Sequence, residues 1–78
     1  MITSEQILLN NGLMQTASSG DTKATALLLR CCKTSELWIL NSMDPIILGT
    51  FGLLPLVRLE IARRLVQEII NDQPEIEI

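Results

Sequence analysis

Residues Leu53 to Asp72 read LLPLVRLEIARRLVQEIIND. Apolar side chains recur at Leu54, Val57, Ile61, Leu65 and Ile69, three or four positions apart, with Ala62, Val66 and Ile70 alongside. That spacing predicts an amphipathic helix with a wide apolar stripe. The other side carries Glu60, Arg63, Arg64, Gln67, Glu68 and Asn71. Glu60–Arg64 and Arg64–Glu68 read as successive i,i+4 ion pairs, each worth about 0.3 kcal/mol on an exposed face. Pro55 suits a first helical turn, where its missing N–H is not needed. The rest of the chain must cover the stripe. The expected fold class is therefore all-α: a small compact bundle of about five helices with a long amphipathic C-terminal helix.

Working back toward the N-terminus, Met43, Asp44 and Pro45 form a helix-start signal, and Ile46 to Leu48 read as one short, uncharged helix stopped by Gly49 or Gly52. Thr34 to Ser42, TSELWILNS, starts another helix. Asp21 is a good N-cap for a helix over residues 22–33. Its polar or small positions are Lys23, Ala26, Arg30 and Lys33, and its apolar ones are Ala24, Leu27, Leu28 and Cys31. ALLLRCC also reads as a strand, but that requires a hairpin turn at Thr34–Ser35, which lacks Asn-Gly or Asp-Gly character. Near the N-terminus, Thr3 with Gln6 is a capping-box pattern. It supports a helix over about residues 4–17, with Ile7, Leu9, Leu13, Met14 and Ala17 inward and Gly12 as its weak point. TSEQILLNN (3–11) and TSELWILNS (34–42) share helix-start chemistry. After Asp72, QPEIEI reads as a frayed acidic tail, so residues 1–72 are expected to form one helical domain and 73–78 the tail.

The chain has 78 residues, of which 47% are hydrophobic, and its mean hydropathy is +0.34. Trp38 and Phe51 are its only aromatic residues. That much aliphatic surface on a small domain implies a very full core or an apolar patch that a partner covers. The formal charge is −3, which disfavours non-specific nucleic-acid binding. The longest apolar run, Pro45 to Val57, falls short of the roughly 20 residues that span a bilayer. MITSEQ lacks a basic segment followed by an apolar core, and adjacent cysteines do not make an ordinary disulfide. Two reduced thiols in a cytoplasmic protein are the expectation.

Catalytic patterns are missing. There is no histidine and no tyrosine, which removes the commonest general base and imidazole ligand. Cys31 and Cys32 cannot build a four-ligand zinc site within one subunit. The glycines form no phosphate-binding loop. Glu5, Glu36 and Asp44 sit near helix starts, where a negative side chain complements the helix dipole. The expectation is a non-enzymatic protein–protein interaction module without cofactor or metal, an adaptor or regulatory subunit that meets a protein partner or a copy of itself. Its candidate interface is Trp38, Phe51, Leu54, Val57, Ile61 and Leu65. The alternative is a small DNA-binding regulator with a helix-turn-helix in residues 22–42 and a basic face of Lys23, Arg30 and Lys33.

Overall fold

The computed structural model describes residues 2–43 and 52–72, and the regular elements among them are all helices, as the apolar periodicity requires. Five helices are present among them: α1 (Ser4–Asn10), α2 (Leu13–Ser19), α3 (Thr22–Arg30), α4 (Thr34–Asn41) and α5 (Leu53–Asp72). The short helix expected at 46–48, Phe51 and the tail at 73–78 lie outside the described residues.

The helix starts obey local chemistry. At α1, the Gln6 N–H donates to Thr3 Oγ1 at 3.2 Å and the Thr3 N–H donates to Gln6 Oε1 at 2.8 Å, which is the reciprocal capping box. At α3, the Ala24 N–H donates to Asp21 Oδ1 at 3.0 Å. At α4, the Lys33 N–H donates to Glu36 Oε1 at 2.8 Å. Thr3 is itself the N-cap of α1, whereas α4 is capped from Lys33, one residue before Thr34. The resemblance between segments 3–11 and 34–42 is therefore out of structural register by one position.

The expected helix over residues 4–17 is two helices. Gly12 adopts φ +71°, a left-handed conformation that glycine reaches without steric penalty. The chain turns there, so the inward positions differ from those of one continuous helix. Ile7, Leu8 and Leu13 are buried, while Leu9 is exposed. α3 stops at Arg30 rather than running to residue 33, and its inward face is rotated from the expected one. Thr25, Leu29 and Cys32 face inward, and Leu27 and Cys31 are exposed. Buried Thr25 is satisfied locally, its hydroxyl donating to the Asp21 carbonyl at 2.7 Å.

Packing follows a closed ring. α1 lies against α2, α2 against α3, α3 against α5, α5 against α4, and α4 against α1. Inside the ring sits one core of Ile7, Leu8, Leu13, Leu29, Cys32, Leu37, Leu40, Met43, Leu53, Val57 and Ile61. It is aliphatic throughout apart from the sulfur-bearing side chains. The contribution of α5 comes from Leu53, Val57 and Ile61, each four residues from the next, with Leu54 and Leu56 half-buried at its edges. From Leu65 to Asp72 every residue of α5 is exposed. No described helix is long and apolar enough to cross a membrane.

The stripe read from the sequence as continuous is thus core only through Ile61. Ile61→Asp is expected to destabilise the fold by about 3 kcal/mol or more, because it places a carboxylate in the aliphatic core. Leu65→Asp is expected to change stability by less than about 0.5 kcal/mol in dilute solution. Urea titrations of the two variants check this, and equal losses would contradict the placement of Leu65.

Candidate interaction surface

Successive residues of an α-helix advance by about 100°, so the apolar residues of α5 divide into two faces. The core face is Leu53, Val57 and Ile61. The second face is Leu59, Ala62, Val66 and Ile69, spaced three, four and three, with Leu65 and Ile70 flanking it. Its centre lies roughly 160° around the helix from that of the core face. Leu59, Leu65, Val66, Ile69 and Ile70 are between 45% and 59% exposed. Isolated exposed leucines need no explanation, but a contiguous aliphatic strip along one helix does.

A polar clamp determines which face turns inward. Glu60, expected on the solvent side, is only 9% exposed. Its carboxylate accepts from Arg63 Nη1 at 3.1 Å and from Arg64 Nε at 3.0 Å. Arg64 then reaches across to the end of α3. Its Nη2 donates to the carbonyls of Leu29 and Arg30 at 3.3 Å and 3.0 Å, and its Nη1 donates to Thr34 Oγ1 at 3.2 Å. The last carbonyls of a helix lack partners within it and carry the negative end of its dipole. A guanidinium with its fan of donors suits that position. The expected Arg64–Glu68 pair does not form, because Arg64 points toward α3 instead.

The sequence-predicted interface residues separate. Val57 and Ile61 belong to the core, and Leu54 is half-buried against it. Trp38 and Leu65 remain exposed and come together. With Asn41, Arg58, Ile61 and Ala62 they line an open groove of about 310 Å³ between α4 and α5. Arg58 Nε donates to Asn41 Oδ1 at 3.1 Å on its rim. Of the predicted basic face, Lys23 and Arg30 flank Ala26 and Leu27 on α3, whereas Lys33 caps α4 and is not part of that helix face. Sequence reasoning missed Leu59, Val66, Ile69 and Ile70 as a surface set. The signal was present as a three-four-three spacing offset from the core residues.

The two thiols differ. Cys31 is exposed, and Cys32 is 4% exposed. Cys32 Sγ donates to the Leu28 carbonyl at 3.5 Å, and Asn11 Nδ2 lies 3.6 Å from the sulfur. Burial, reinforced by the nearby Glu36 carboxylate, raises the Cys32 pKa above its ordinary value of 9.0, which makes it a poor nucleophile at neutral pH. Among the described residues no group of three or more Cys, Asp or Glu side chains is placed to hold a metal ion. Comparison with family models, curated proteins and solved structures finds no match.

Arg64→Ala is expected to cost about 2 kcal/mol, since it leaves the enclosed Glu60 with Arg63 alone and takes the charged donor from the end of α3. Arg63→Ala, whose side chain is half-exposed, is expected to cost less than about 0.5 kcal/mol. Comparable losses in chemical denaturation would argue against the clamp. For the thiols, iodoacetamide is expected to modify Cys31 in the folded protein and Cys32 only on unfolding. A raised folded-state pKa means that the stability contributed by the neutral Cys32 thiol is fully present below its unfolded value. That contribution is lost as pH rises through the folded value, so the unfolding midpoint is expected to fall above pH 9.0 and to fall less in Cys32→Ala.

Proposed function

We propose that the protein is a small, non-enzymatic protein–protein interaction module, an adaptor or regulatory subunit of the cytoplasm, that binds through the aliphatic face of α5. The carrying observation is the exposed end of this helix. Residues 65–72 are all in water, yet four of the eight are Leu65, Val66, Ile69 and Ile70. A short helical segment without tertiary packing is marginal in water, and exposing those side chains forfeits about 25 cal/mol for each Å² that a partner could cover. The described chain has a radius of gyration of 14.1 Å, against about 11 Å for a globule of this length, as a helix projecting from its bundle requires.

Three carboxylates have structural roles. Asp21 and Glu36 cap helices, and Glu60 holds two arginines. These roles support the non-enzymatic reading. The DNA-binding alternative has less support. In a helix-turn-helix of α3 and α4, the helix entering the groove would be α4, whose sequence TSELWILN carries one carboxylate and no basic residue.

A photo-crosslinking residue placed at Ile69 in the cell is expected to yield an adduct with protein, while the same residue at exposed Glu5 yields little. Equal yields at the two sites, or none at Ile69, would contradict the proposal.

A further inference from the structure

The exposed face of α5 has the arrangement of a helix-pairing seam. Leu59, Ala62, Val66 and Ile69 occupy alternate core positions of two consecutive heptads, the spacing by which one helix packs its side chains between those of another. We infer that a second copy of this chain covers this face, the two α5 helices lying antiparallel across a two-fold axis with Arg58 of each opposite the partner's Asp72. The inference rests on the reading of this face as a docking surface and names what docks there.

Self-complementarity supports a second copy. With the axis passing near Arg64, Leu59 meets the partner's Ile69 and Ala62 meets the partner's Val66. Each layer then sets a larger side chain against a smaller or equal one. The three flanking residues on one side of the seam, Arg58, Leu65 and Asp72, are seven positions apart. In an antiparallel pair this flank faces its own copy. Arg58 then meets the partner's Asp72, Leu65 meets the partner's Leu65 on the axis, and Asp72 meets the partner's Arg58. The Arg58–Asp72 contact is favourable, and the two-fold axis produces it twice. A parallel pair would bring Arg58 against the partner's Arg63, like charge against like, also twice. In the antiparallel pair the two Arg63 side chains approach each other across the axis, but each is already held by its own Glu60 at 3.1 Å.

Trp38 reports on this interface. It stands on the same flank, lining the groove with Arg58, Ala62 and Leu65, so the partner's Leu65 and Asp72 pass over it. It is the sole tryptophan, in a chain without tyrosine. Its emission is therefore a direct measure of that environment.

Sedimentation equilibrium of the full chain, with tryptophan emission recorded over the same concentrations, tests the inference. A reversible dimer is expected, with Trp38 emission moving to shorter wavelength as it forms. Val66→Asp is expected to abolish dimerisation and leave the helical circular dichroism intact. Arg58→Asp and Asp72→Arg are each expected to weaken the dimer about tenfold, because two contacts change and each is worth about threefold. The double variant Arg58→Asp/Asp72→Arg is expected to return close to the starting affinity. A monomer up to the millimolar range would overturn the inference, as would a dimer indifferent to Val66→Asp, strengthened by Arg58→Asp, or left weak by the double exchange. In any of those cases, a crosslink from Ile69 to a different protein would leave the interaction-module reading standing and remove only the second copy.

Discussion

Arg64 lies between a buried carboxylate and the open end of another helix, and the roll of α5 depends on that contact. Its guanidinium takes one oxygen of Glu60 and the two last carbonyls of α3. A carboxylate as enclosed as Glu60 is tolerable only when paired, and outside α5 Arg64 is held by the Leu29 and Arg30 carbonyls and the Thr34 hydroxyl. The clamp fixes α5 at one angle about its axis. At that angle Leu53, Val57 and Ile61 enter the core. The remaining aliphatic residues of the same helix are carried to the opposite side.

From that one angle the rest of the surface follows. The five described helices close as a ring, and α5 is the longest of them. Its first half completes a core shared with α1, α2, α3 and α4. Its second half, residues 65–72, is exposed throughout. An amphipathic helix ordinarily devotes its apolar face to a single purpose. Here two aliphatic faces share one helix, one consumed within the chain and the other left at the surface beside Trp38 and Arg58. A high aliphatic content on a small acidic chain is thereby divided between the core and the exposed face of α5.

Much of the architecture was legible in the residues themselves. The long helix, the capping box at Thr3 and Gln6, the Asp21 cap and the start of α4 all depend on groups within one turn of each other, so short-range spacing carries them. What escaped was set at longer range. Glu60 and Arg64 were visible as an i,i+4 pair, but nothing near them in sequence shows that the carbonyls of Leu29 and Arg30 complete the site. Without that contact both residues read as solvent-facing. A stripe wide enough to hold Leu54, Val57, Ile61, Leu65 and Ile69 on one helix also hides the fact that its two ends face different ways. Gly12 is a weak point for any helix, yet propensity alone does not distinguish a poor helix from two helices meeting at a left-handed residue. The inward choice of Cys32 over Cys31 is one of helix phase: Cys32 continues the four-three spacing of Thr25 and Leu29, and a polar Thr25 on the inward face hides that phase from apolar periodicity alone.

The central claim is the orientation of α5, and it can be read without altering the chain. Methyl resonances of the valines, leucines and isoleucines would be recorded in dilute protein while a soluble, inert paramagnetic agent is titrated in. The account predicts that the methyl groups of Val57 and Ile61 stay sharp while those of Val66 and Ile69 broaden strongly. The reverse pattern, with Val66 and Ile69 shielded and Val57 and Ile61 broadened, would mean that the helix is rolled the other way and that neither the clamp nor the exposed face exists as described.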